Sequence, residues 1–363
     1  LQPHLGWLPA PLWRHGALAR LGSEAEPLSA SALERYAACP FRFFAADVLR
    51  VRTTPLRQEE SEAGEAGAIA HRAFEVVIRA LLAAGHSALG PGSREACRTV
   101  ATAALAAWWP QEGRLERLHP VLREQTEAQV QAQVLALLAD LCAEASDFRL
   151  HGVELGFGQP GDAWPALRVD LPASPPPPAA ASGALPTAVA AAPDASLWLR
   201  GRIDLLERAG TWARVSDLKS ARLSSLQPRL RPSSFAVEAL QLPIYAAAVQ
   251  AAEPGLSGCD VRYLSLRDGR AGAGVWSLTE GRGAFRGQAA ALAERLRVQP
   301  TASPPTALGA RLASLTTQLR QGQFPAKPRA GACRLCDMQA ICRISAQAQA
   351  MAGGDEGEAH GAP

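Results

Sequence analysis

Asp217 and Lys219 stand two residues apart in the run 211–220, and Asp204 lies in the run 198–208 just before it. Each run is apolar or alternating over strand length, and Ala209-Gly210 between them is a turn signal. A β-hairpin follows, with Asp204 on its first strand. Asp217 and Lys219 share one face of the second strand and Leu218 takes the other. In-register pairing brings Asp204 beside them. Two carboxylates and an ammonium at one point are costly unless something uses them. A divalent cation on oxygen ligands, with a lysine beside the attacked group, uses all three. The plain alternative is a surface hairpin with one i, i+2 ion pair. Lysine usage favours chemistry: among 37 Lys and Arg residues only Lys219 and Lys327 are lysines. A lysine kept in so arginine-rich a chain suggests a need for a compact, titratable point charge that guanidinium cannot supply.

A second constellation is thiol-based. Seven cysteines fall at 39, 97, 142, 259, 333, 336 and 342, an odd and lopsided set that argues against a disulfide framework. Cys333, Cys336 and Cys342 form a C-x2-C-x5-C run. Cys97 and Cys142 fall in expected helices and Cys259 precedes a strand, where a small buried apolar residue is the default. Cys39 instead stands at a helix end before Pro40, in a loop able to turn a thiolate outward. One distant cysteine plus a close triplet suits a 4Fe-4S cluster, with structural zinc as the runner-up. Either metal would tie residue 39 to residues 333–342.

The elements that must position these groups alternate in type. Residues 1–27 read as an irregular lead-in or linker remnant, and Ser31 and Glu34 as a capping box for a helix running toward Cys39. The acidic stretch 56–66 reads as loop. A helix starts at Gly67, with His71 near its N-terminus, and further helices cover 93–109 and 121–147. Strands are expected at 151–157 and 164–171. The segment 172–193, almost wholly Ala, Pro, Ser and Gly, reads as a flexible insertion. A helix over 235–251 tolerates Pro243 if that residue lies in or near its first turn. Strands at 260–267 and 274–278, helices at 281–298 and 306–321, and a disordered tail over 345–363 complete the chain. The resulting fold class is α/β or α+β, a central sheet flanked by helices.

Bulk properties exclude more than they assign. A net charge of +3 is too small to claim a polyanion partner from composition, so a nucleic-acid surface needs local arginine clusters. No run is both long and apolar enough to span a membrane. There is no signal peptide, and the chain opens on Leu1 rather than Met, which suggests a piece of something longer.

Taken in order, Tyr36 to Phe44 around Cys39-Pro40, Gly67 to His71, Gly201 to Asp204, Asp217-Leu218-Lys219, Gln241 to Tyr245 and the closing C-x2-C-x5-C span residues 29 to 343. Together they resemble the PD-(D/E)XK nuclease superfamily, and within it the iron–sulfur nuclease domains of the AddB and RecB-like exonuclease group. The resemblance implies a restriction-endonuclease-like mixed sheet flanked by helices over residues 28–344, its ends stapled by a metal cluster on Cys39, Cys333, Cys336 and Cys342. It implies Mg²⁺ or Mn²⁺ on His71, Asp204, Asp217 and the carbonyl of Leu218, which stands where the family more often has tyrosine. Lys219 would orient or activate the attacking water. Gln241 and Tyr245, one helical turn apart, would face the site and position the DNA backbone.

Beside these, Glu154 is a minor candidate for an extra metal ligand, and Glu75 reads as solvated. Arg42, Arg50, Arg52, Arg222, Arg229 and Arg231 are candidate phosphate contacts. The expected activity is metal-dependent DNA exonuclease cleavage by the nuclease part of a cytoplasmic helicase–nuclease in double-strand-break repair. Its substrate would be single-stranded ends or an unwound strand. Nothing resembles a Walker A loop, so unwinding would come from elsewhere in a larger protein or complex. The alternative is a non-catalytic DNA-end-binding module stabilised by the cluster. A redox sensor has only the cysteines behind it.

Overall fold

The computed structural model describes residues 20–51, 58–144, 146–171, 196–231, 233–276, 307–329, 332–333, 336–339 and 341–342. Residues 1–19 of the lead-in, the insertion at 172–193, the helix expected at 281–298, the tail at 345–363 and Arg52 lie outside them. In chain order the elements begin with β1 (Leu28–Ser29), α1 (Ala30–Ala38), α2 (Pro40–Phe43) and a π-helical turn (Phe44–Val48). Then come α3 (Gln58–Ala83), α4 (Arg94–Trp108), α5 (Pro120–Ala143), β2 (Arg149–Phe157) and β3 (Leu167–Asp170). The hairpin strands are β4 (Ser196–Ala209) and β5 (Trp212–Lys219), followed by the short α6 (Leu223–Leu226) and by α7 (Gln241–Ala252). The last are β6 (Gly258–Ser265), β7 (Arg270–Ala271), β8 (Val275–Trp276) and α8 (Ala307–Arg320). Among the described residues no helix is long and apolar enough to cross a membrane.

These elements gather into two compact units. One is drawn from Leu1–Thr54, Ala166–Arg200 and Arg297–Pro363, the other from Pro55–Pro165 and Gly201–Leu296. In the first, β1 pairs parallel and β3 antiparallel with the opening of β4, Leu28 and Leu167 both meeting Leu199. Tyr36, Phe43, Phe44 and Phe324 form an aromatic cluster, and the Tyr36 hydroxyl donates to the Gln323 carbonyl at 2.7 Å. The Phe41 N–H donates to the Pro325 carbonyl at 3.2 Å, and the Arg329 N–H to the Ala38 carbonyl at 3.0 Å. The strip 323–329 is thereby fastened along α1 and α2.

In the second unit the rest of β4 lies between β2 and β5, both antiparallel to it, and β5 pairs parallel with β6. The short β7 and β8 pair with β6. Helices α3, α4 and α5 bury Ile69, Phe74, Leu105 and Leu137 in one core with Leu205, Leu218 and Leu264 of the sheet. Helix α7 packs on β5 and β6. The mixed sheet with helical flanks agrees with a restriction-endonuclease-like fold.

Several boundaries differ from expectation for local reasons. Helix α1 is capped by Ser29, whose side chain accepts from the Ala32 N–H at 3.1 Å, not by Ser31. Of the acidic stretch 56–66 expected as loop, residues from Gln58 onward belong to α3, since Gln, Glu and Ala are strong helix formers and acidic residues suit a helix N-terminus. His71 consequently lies well inside a helix, not near its start. The hairpin turn is Gly210-Thr211, one residue later than read, with Gly210 at φ +58°, where a Cβ is disfavoured. Helix α7 begins at Gln241, not at 235, because Pro243 has no N–H to bond a preceding turn and fits only the first one. Helix α5 stops at Ala143 and β3 covers only Leu167–Asp170, both shorter than read.

Candidate active site

The hairpin brings Asp204, Asp217 and Lys219 together. Register pairs Leu205 with Ser216, so the next position along the antiparallel ladder sets Asp204 opposite Asp217. The Lys219 ammonium donates to Asp217 Oδ1 at 2.9 Å and lies 2.7 Å from Oδ2. Asp204 Oδ2 accepts the Leu218 N–H at 2.6 Å. The Leu218 side chain is buried in the helical core, which commits Asp217 and Lys219 to the opposite side of β5. The ladder to β6 continues past Lys219, whose carbonyl accepts the Leu266 N–H at 3.0 Å, so the site residues ride on a strand held from both sides.

Electrostatics mark the spot as unusual. Burial and the charge of Asp217 push the Asp204 carboxyl well above its ordinary range, against the opposing pull of Lys219 and the Leu218 N–H. Burial, reinforced by the Lys219 charge, lowers His71 to about 4. Its imidazole is therefore neutral near pH 7, with a lone pair to give. Gly67, one turn before His71, lies where an added Cβ would stand 3.0 Å from the Ser220 hydroxyl, which keeps α3 close to the end of β5. Gln241 is half-buried at the first position of α7. Tyr245, one turn on, is buried edge-on against Phe157 of β2, with ring centroids 6.0 Å apart. Both rings crowd Gly201, three residues before Asp204.

A family model of the PD-(D/E)XK nuclease superfamily matches residues 27–343. The chain belongs to that superfamily. A comparison with curated proteins found no match.

For a PD-(D/E)XK nuclease the carboxylate pair suits a divalent cation, because Asp217 raises the cost of ionising Asp204 and a cation would offset it. Among the described residues no three His, Cys, Asp or Glu side chains form a ready-made metal cage. What converges without metal is the two-carboxylate, one-ammonium core, with the lysine bonded to Asp217.

The charged groups around this nuclease site differ from expectation. Glu75 is not solvated; it is buried and bonded to both Arg72, at 2.6 Å, and Arg79, at 2.9 Å, because arginines three before and four after it on α3 fold over it. Glu154 falls between the pairs Val153↔Leu205 and Leu155↔Ile203, and so lies opposite Asp204. Its partner is Arg202, at 3.7 Å. Arg72 and Arg202 were missed, though each adjoins a singled-out motif, next to His71 and two before Asp204. Of the arginines expected to meet phosphate, Arg42 bonds Asp337 at 2.8 Å and Arg229 lies over the Tyr263 ring, while Arg50, Arg222 and Arg231 are exposed.

In the first unit Cys39, Cys333, Cys336 and Cys342 line one small cavity with Phe41 and Arg42. Cys39 is buried at the α1–α2 junction, not turned outward on a loop, because Pro40 opens α2 directly after it. Burial raises its thiol pKa, and Cys342 and Cys336 raise it further. Burial, then Cys336 and Cys342, do the same to Cys333. Four free cysteines around one cavity offer the donor type that a thiolate-ligated metal takes. Cys97, Cys142 and Cys259 are buried elsewhere, as small apolar residues.

Proposed function

We propose that the chain is a metal-dependent deoxyribonuclease acting from DNA ends, the nuclease part of a helicase–nuclease for double-strand-break repair and recombination. The observation that carries the chemistry is the meeting of Asp204, Asp217 and Lys219 on adjacent strands of a superfamily member. Asp204, Asp217, His71 and the Leu218 carbonyl would hold Mg²⁺ or Mn²⁺. The bound ion would supply charge neutralisation at the phosphate and a lowered pKa for the attacking water. Lys219, steered by Asp217, orients that water and faces the charge that builds on the phosphoryl oxygens as the P–O bond breaks. Tyr245 and Gln241 position the backbone of the strand from α7.

Cys39, Cys333, Cys336 and Cys342 would hold a 4Fe-4S cluster, with zinc as the second choice for the same thiolates. A cytoplasmic, reducing setting suits seven free cysteines. Single-stranded ends or an unwound strand are the proposed substrate, and the motor that exposes them resides elsewhere in a larger protein or complex.

The test is degradation of end-labelled DNA with Mg²⁺, with EDTA, and by Asp217→Ala and Lys219→Ala proteins. Each substitution is expected to lower kcat at least 100-fold, the scale of losing a positioned electrostatic group. DNA binding should persist in both. Cleavage at the unsubstituted rate in both would refute the assignment.

A further inference from the structure

Two exposed guanidinium groups border the carboxylate pair, and the mechanism above gives them nothing to do. Arg202 lies two residues before Asp204 on β4, with its side chain 59% exposed and Nη1 3.7 Å from Glu154 Oε2. At that separation the pair is a loose ion pair, and the carboxylate steers a guanidinium that stays largely exposed. Arg72 follows His71 on α3, 56% exposed, and bonds Glu75 through Nη1. Glu154 senses the whole group: burial and Glu75 push its carboxyl up, while Arg202 and Arg72 pull it down.

The backbone beneath this group is also unusual. Glu154 holds φ +53° inside a strand, a left-handed conformation disfavoured for a residue with a Cβ, just after a register shift between Leu150 and Gly152. The register keeps the residue opposite Asp204, and its side chain, 18% exposed, holds the carboxylate where it attracts Arg202. Strained backbone of this sort persists where surrounding structure enforces it, commonly at functional sites.

We propose that Arg202 and Arg72 form a phosphate-positioning site for a polynucleotide strand. Glu154 and Glu75 keep the two guanidiniums in place beside the site. An arginine fork donates two parallel hydrogen bonds to one phosphate. Two forks flanking the Asp204–Asp217–Lys219 core grip phosphates next to the one being cut, and fix the strand's register there. The site reads backbone and not base, so it carries no sequence preference. This proposal rests on the nuclease reading.

The experiment is fluorescence anisotropy of a labelled single-stranded oligonucleotide in EDTA, titrated at several NaCl concentrations. Arg202→Ala and Arg72→Ala are each expected to weaken binding roughly tenfold and to reduce the salt slope by about 0.7, the share of one phosphate contact on a single strand. Arg202→Lys should restore the slope but only part of the affinity, because an ammonium keeps the charge and loses the fork. In Mg²⁺ the alanine variants should raise KM more than they lower kcat. Thermal unfolding of Arg202→Ala should match the unsubstituted protein, since that side chain is largely exposed, whereas Arg72→Ala leaves the buried Glu75 with Arg79 alone and should unfold at a lower temperature. Unchanged affinity and slope in both alanine variants would overturn the site. If the salt slopes change as expected but no cleavage occurs with Mg²⁺, the nuclease reading fails and this site stands. Failure of the unsubstituted protein to bind the strand overturns both.

Discussion

At the scale of single residues, the site depends on one side chain that is absent. Gly201 sits where an added Cβ would meet Tyr245 Cε1 at 2.6 Å and Phe157 Cε1 at 2.7 Å. Both rings belong to buried side chains and have little room to give. Gly201→Ala should therefore cost about 1–3 kcal/mol of stability, the scale of overpacking a core. It should also push the Tyr245 ring away from β4, three residues from Asp204. Urea unfolding gives the first effect and Tyr245 ring shifts in NMR the second; an unchanged unfolding midpoint would contradict it. Charge at this scale is equally specific. Asp204 and Asp217 share their burden with one ammonium, whereas His71 is held neutral by burial and by that same ammonium. One lysine acts on three groups, which gives the retention of lysine at position 219 a physical reason.

At the scale of elements, the sheet is tied to α5 by charges on the side opposite the site. Arg262 of β6 donates to Ser216 at 2.9 Å, to Glu144 at 2.7 Å and to Glu207 at 2.7 Å, bridging β4, β5 and the residue after α5. Arg214 adds a bond to Glu144 at 3.1 Å and lies 3.9 Å over the Phe148 ring. Glu207 is buried, so Arg262→Ala leaves a carboxylate without its main counter-charge and should cost about 3–5 kcal/mol, measured by urea unfolding. Burial alone would raise Glu144, yet Arg262 and Arg214 outweigh it and hold its carboxyl below 4.5. A depressed folded-state pKa contributes stability that is present above the unfolded value and lost as pH falls through the folded one. Unfolding midpoints should therefore drop below about pH 4.5, less steeply in Glu144→Gln. Equal acid slopes in the two proteins would show that the network does not carry the effect.

At the scale of the whole molecule, the two units hold separate chemistries. The proposed nuclease core belongs to Pro55–Pro165 and Gly201–Leu296, and the cysteine set to the other unit. Cys39 is separated from Cys333 by most of the chain, and the strip at 323–329 spans that gap by bonding along α1 and α2. A thiolate-bound metal would cross-link a loop of roughly 300 residues, restricting the unfolded chain by about 5 kcal/mol of closure entropy. Cys333→Ser should abolish visible absorbance from iron, or the bound zinc, and lower the unfolding temperature. A variant with unchanged spectrum, metal content and unfolding temperature would remove the cluster from the proposal. With a net charge of only +3, binding to DNA has to come from local arginines and not from the overall field.

The hairpin, the shared side of Asp217 and Lys219 and the crowding of three cysteines were legible because turn chemistry and the two-residue period of a strand are local. So was the helical default for Cys97 and Cys142. Other features depended on pairing partners far away in sequence. The β2–β4 register set Glu154 against Asp204, and no property of residues 149–157 alone states that partner. Arg72 and Arg79 turned Glu75 from a solvated residue into a buried one. Packing against the core, not propensity, set the surroundings of His71 on a helix that starts at Gln58. The sequence by itself determined which groups could do chemistry; the tertiary structure decided which stand close enough to share charge, because electrostatic coupling falls with distance and only packing sets that distance.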